Sequence, residues 1–149
     1  MDKKADLRFV VFLTLLADII DKPFGLVIFS ETINNGRVWF HSLAVNLALS
    51  AVLLLWRKPL VCVLALWFHQ LCDGMWMRPW VALWPLTGAL GYRDLPLDQW
   101  VYNLLSPYNV ITELAGLALL VVFGWYYGLL RWERFKSFLA TGKLEKRLV

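Results

Sequence analysis

The chain has 149 residues, of which 60% are apolar, 15% aromatic and only 17% charged, with nine Trp and a formal net charge of +4. Soluble domains run at about 45–50% apolar and 25% charged, and a domain of this length must still cover a large surface with polar groups. The composition excludes a soluble globular protein. It predicts a single all-α membrane domain over 1–149, with four or five crossings as the ceiling, because each crossing needs about 20 apolar residues plus a connection.

In chain order, the charged segment Met1–Arg8 runs into an apolar stretch with no small-residue cleavage site, which predicts a retained first helix. That first span covers 7–29 and is interrupted by Asp18, Asp21, Lys22 and Pro23, so a break is predicted near the two aspartates. Lys22 stands beside Asp21 as its neutralising partner. The second and third spans, 39–56 and 59–76, are separated only by Arg57 and Lys58, a tight polar turn that makes an antiparallel helical hairpin. Cys62 and Cys72 share the third helix about 15 Å apart and cannot pair.

Segment 77–111 is rich in Trp, Tyr, Pro and Gly. Within it Trp80–Leu90 is apolar but short and holds Pro85 and Gly88, which predicts an interfacial or re-entrant segment. The fourth span covers 112–130. A C-terminal amphipathic helix over 132–149 then lies on the inner leaflet with its basic residues toward anionic lipid. Trp39, Trp56, Trp76 and Trp80 read as aromatic belts at the two interfaces.

Cytoplasmic loops carry the Lys/Arg excess. With the N-terminus inside, eleven of the fifteen basic residues fall on the cytoplasmic side, and only Lys22, Arg37, Arg78 and Arg93 fall opposite. The prediction is a multi-pass protein of the plasma or inner membrane with both termini cytoplasmic. Membrane lipids are its partners, and the positive charge requires no nucleic acid.

Six ionisable residues lie within or beside the spans: Asp18, Asp21, His41, His69, Asp73 and Glu113. Each is costly in lipid and marks a functional site by default. The topology gathers all six near the non-cytoplasmic end. Asp18 and Asp21 are three apart and His69 and Asp73 four apart, so each pair projects from one helical face. Imidazole and carboxylate together suit a divalent metal, Zn²⁺ first, with Mn²⁺ or Mg²⁺ as alternatives. Plainer roles exist: helix-end acids for Asp18 and Asp21, a hydrogen-bonded helix lock for His69 and Asp73, and for Glu113 a first-turn acid favoured by the helix dipole.

The runs ADIIDKPFG, GRVWFHSL, WFHQLCDGMW and ALWPLTG, in this order over about residues 17 to 90, resemble the membrane-bound metal-dependent hydrolase family of small integral membrane proteins. The family's acidic motif falls on Asp18 and Asp21, its RxxxHS element on Arg37, His41 and Ser42, and its HxxxD element on His69 and Asp73. Two departures stand out. Ala17 replaces the Pro that usually precedes the first Asp, and the N-terminal His of many relatives has no counterpart, since His41 is the first in this chain.

Residues and resemblance together predict a metal-dependent hydrolase at the non-cytoplasmic leaflet. Asp18, Asp21, His41, His69 and Asp73 would hold the metal, and Asp21 or Glu113 would act as general base. Arg37, Arg78 and Arg93 would bind a phosphoester of an anionic lipid or lipid-linked substrate, arginine being suited to bidentate phosphate recognition. Two rivals are an ion or proton transporter and a non-catalytic scaffold with a structural site. Against the transporter, the cytoplasmic halves of the spans, 47–55 and 61–66, are almost wholly apolar.

Overall fold

The computed structural model describes residues 5–91, 101–102 and 105–144, and among them it is all-helical, with no strand. The chain packs as two compact units, Met1–Asp94 and Leu95–Val149, where composition alone had suggested one domain. The division falls inside the Trp-, Pro- and Gly-rich stretch.

The first unit is built from α1 (Leu7–Pro23), α2 (Leu43–Leu55), α3 (Leu60–Cys72) and the single turn α4 (Pro79–Ala82). Asp6 caps α1, its carboxylate accepting from the Arg8 N–H at 3.0 Å. The predicted break at the aspartates does not occur. The helix passes through Asp18 and Asp21 and continues as a π-helical turn over Phe24–Ile28, closed by Phe29 N–H donating to Phe24 O at 2.8 Å. The widening follows Pro23, whose missing N–H leaves the ladder one donor short, a defect that a local π-turn absorbs.

Between α2 and α3 the chain reverses at Arg57, which adopts the left-handed conformation at φ 52°. The Lys58 N–H returns to Leu53 O at 2.9 Å and closes the end of α2. Leu13 of α1, Leu53 of α2 and Cys62, Val63, Ala65 and Leu66 of α3 form the core, with Phe9, Leu16, Leu49 and Trp67 packed against them. Cys62 is buried within it, Cys72 is exposed, and both thiols are free.

The second unit holds α5 (Pro107–Tyr126) and α6 (Trp132–Thr141), the latter closed by Gly142 at φ 66°. Ser106 caps α5, so the helix starts and ends several residues before the predicted 112–130. Within it Asn109–Tyr126 has a mean hydropathy of 1.6 and is 6% buried; it is the one helix among the described residues long and apolar enough to cross a membrane. The other predicted spans are shorter. α2 and α3 have 13 residues each, about 20 Å of helix against a hydrocarbon core of about 30 Å. Trp39–Ser42 forms a turn and cap ahead of α2, and Gly74 at φ 63° ends α3.

Candidate metal centre

The site begins with a close crossing of backbones. Asn35 N–H donates to Gly25 O at 3.2 Å, and a Cβ on Gly25 would lie 1.8 Å from Asn35 O. Only glycine permits this approach. It lays the loop ahead of α2 across the end of α1, with Val38 and His41 fully buried above Asp21.

Asp21, itself 0% exposed, receives four hydrogen bonds from this loop. Val38 N–H donates to Oδ2 at 2.8 Å, Phe40 N–H to Oδ1 at 3.1 Å and His41 N–H to Oδ2 at 3.1 Å. The fourth comes from His41 Nδ1, 2.7 Å from Oδ2. The carboxylate acts only as an acceptor here, so Nδ1 points a proton at Asp21 and Nε2 is the nitrogen that faces the cluster. Asn46 Nδ2 and Gln70 Nε2 donate to Phe40 O at 2.8 and 3.2 Å and hold the same loop from the α2 and α3 sides.

His69 lies in the last turn of α3 and Asp73 at its C-cap. An acid at a helix C-terminus opposes the helix dipole, and Arg37 offsets it: Nε is 2.7 Å from Asp73 Oδ2. On α1 it is Asp18, not Asp21, that pairs with Lys22, at 2.8 Å and four residues' spacing.

Around His41 Nε2 the possible ligand atoms converge. Asp73 Oδ2 is at 3.2 Å, His69 Nε2 at 3.4 Å and Asp18 Oδ1 at 3.6 Å. His69 Nε2 and Asp73 Oδ2 are 4.0 Å apart, and the ligand atoms of all four residues lie within 4.8 Å of one another. Bonds of about 2.0–2.1 Å in a tetrahedral zinc site put ligand atoms about 3.3–3.5 Å apart, so the three separations from His41 Nε2 already match that spacing and the wider ones would close on binding. Two imidazole nitrogens facing two carboxylates call for positive charge between them, supplied by a proton or by a metal ion. A histidine whose far nitrogen donates to a buried carboxylate is the usual arrangement behind a metal ligand. Asp18, His41, His69 and Asp73 could therefore hold a metal ion, and their donor set fits one.

Four of the five predicted ligands come together here, and Asp21 takes another position. It stands behind His41, outside the cluster, with both oxygens accepting hydrogen bonds, and it orients the imidazole. Glu113 is exposed on α5 in the second unit, two turns beyond the Pro107 start, and so is not a first-turn acid. Of the predicted substrate-binding arginines, Arg37 is engaged with Asp73, Arg78 lines a cleft in the first unit, and Arg93 lies outside the described residues. Gly25, Asn46 and Gln70 escaped sequence reasoning because their roles depend on the path of the loop. Lys22, assigned from sequence to Asp21, pairs instead with Asp18, for which the i+4 spacing was the available signal. Comparison with protein-family models, curated proteins and solved structures finds no match for the chain.

Proposed function

We propose that the chain is a metal-dependent hydrolase of the membrane-bound family it resembles, acting on a phosphoester of an anionic lipid or lipid-linked substrate. The observation that carries this reading is the convergence of Asp18, His41, His69 and Asp73 on one point, with buried Asp21 fixing the tautomer of His41. Zinc is the first choice of ion for two imidazoles and two carboxylates. When bound, such an ion supplies Lewis acidity toward water and the phosphoryl group.

The residues of the chain do the rest. Asp21 keeps the proton on His41 Nδ1, so that Nε2 stays available as a donor atom. Lys22 neutralises the outer oxygen of Asp18, and Arg37 holds Asp73 by Oδ2, the same oxygen that faces His41. With a doubly charged ion in place, the positive charges of the ion, Arg37 and Lys22 exceed the negative charges of the carboxylates of Asp18, Asp21 and Asp73 by one, which favours an anionic substrate.

A multi-pass placement belongs to the same proposal. Val11, Leu15 and Ile19 on α1, Leu47 and Leu54 on α2, and Leu64 and Phe68 on α3 are exposed. An apolar exterior of that extent suits lipid better than water. The short helices would cross with their flanking turns inside the bilayer and both termini cytoplasmic.

Metal analysis of the purified protein tests the reading. Near-stoichiometric divalent ion is expected, with loss in His69→Ala and in Asp73→Ala, and chelator-sensitive release of phosphate or alcohol from a panel of lipid phosphoesters. Unchanged metal content in both variants would remove the proposed centre.

A further inference from the structure

α5 and α6 are joined by a tight reversal that turns at Gly128, with φ 67°. Arg134, in the first turn of α6, lays its side chain over this reversal: a Cβ on Gly128 would lie 3.1 Å from both Cδ and Nη1 of Arg134. Nη1 is shielded from solvent there and has no hydrogen-bond partner among the described residues. The last carbonyls of α5 are served by other donors, since Phe123 O, Gly124 O and Trp125 O accept from the N–H groups of Tyr127, Leu129 and Gly128. Glu133, the adjacent acid, pairs with Lys136 at 3.5 Å. A shielded donor left unmet is costly, more so when it is charged. Arg134 lines a recess of about 20 Å³ together with Tyr127, Ser137 and Lys143, room for one water-sized group such as a single phosphate oxygen.

We propose that this recess binds the headgroup phosphate of an anionic phospholipid, one oxygen entering against Arg134 and the rest of the group remaining at the mouth with Lys143 as second cation. The proposal goes beyond the hydrolase reading and uses no residue of the metal centre. Two cations and two hydroxyl-bearing residues suit a phosphate, and a guanidinium is the side chain best shaped for it. The position along the chain favours a lipid over a free phosphate. The apolar window Asn109–Tyr126 ends one residue before Tyr127, so in a bilayer the recess falls at the depth of the headgroups. Trp125, Tyr126, Leu130 and Trp132 are exposed about it, and aromatic side chains gather at that depth. A basic surface attracts anionic lipid through charge alone, and would treat Arg134 and Lys136 alike. A recess closed over one guanidinium does not.

The test titrates the full-length protein in detergent with dioleoylphosphatidylglycerol or dioleoylphosphatidylcholine and counts bound lipid by native mass spectrometry. One phosphatidylglycerol per chain is expected to bind ahead of phosphatidylcholine. Arg134→Gln should weaken that binding about tenfold or more, the usual scale for losing a charge-assisted hydrogen bond. Lys136→Gln removes the same charge from the same helix and should change it less than about twofold, as expected of an exposed cation. Ser137→Trp fills the recess with every cation in place and should also weaken binding about tenfold, with helix content by circular dichroism showing that the variants fold. Equal weakening in Arg134→Gln and Lys136→Gln would reduce the effect to surface charge and overturn the site. Full affinity in Ser137→Trp would overturn it as well, however Arg134→Gln behaves. Displacement of the lipid by equimolar inorganic phosphate would overturn the choice of a lipid.

Discussion

Asp21 illustrates how a single side chain can decide what its neighbours do. Its hydrogen bonds to Val38, Phe40 and His41 hold a whole loop, and its contact with Nδ1 decides which nitrogen of His41 faces the cluster. Asp21→Asn would put an amide NH₂ where a backbone N–H now donates, and would release the tautomer. Removing such a supporting partner typically costs about 10–100-fold in metal affinity, and that loss is expected in competition against a chromophoric chelator. Undiminished affinity would mean that His41 does not depend on it. The convergence of Asp18, His41, His69 and Asp73 was legible in the sequence, because i+3 and i+4 spacing and a consistent topology bring them to one end. The division of labour between Asp18 and Asp21 was not. Both lie on nearly the same helical face, and what separates them is the crossing of Gly25 with Asn35, a contact between positions ten residues apart that no periodicity encodes.

At the scale of elements, a polar seam joins α2 and α3 inside an otherwise apolar hairpin. Ser50 Oγ donates to Asn46 O at 2.7 Å and accepts from Trp67 Nε1 at 3.0 Å. Ser50→Ala leaves the indole N–H without that acceptor, at a cost of about 1–3 kcal/mol for a buried donor. The expected outcome is a lower unfolding midpoint together with a change in Trp emission; a variant as stable as the parent would show that another acceptor takes over. The helices were legible from their apolar runs, but their ends were not. Hydropathy continued through Trp39–Phe40 and through Met75–Trp76, whereas the backbone follows local hydrogen bonding: Ser42 caps α2 and Gly74 ends α3 in a left-handed conformation. The same applies to α1, where charge and Pro23 suggested a break and the backbone instead widened by one π-turn.

At the scale of the molecule, the two units differ in how they treat water. The first encloses a polar cluster within a small core, while the second presents α5 with almost no buried surface. The arrangement of thiols in the first unit turns this into an assay of orientation that needs no engineering. Cys62 is 1% exposed and Cys72 is exposed, immediately before Asp73. A membrane-impermeant maleimide added to sealed, right-side-out vesicles therefore has one native target, and that target sits beside the proposed centre. Labelling without permeabilisation is expected if the cluster faces the non-cytoplasmic side; labelling only in inverted vesicles would reverse the topology. Slower modification after metal addition would let the same residue report occupancy, making Cys72 at once a compass for the chain and a gauge for its site.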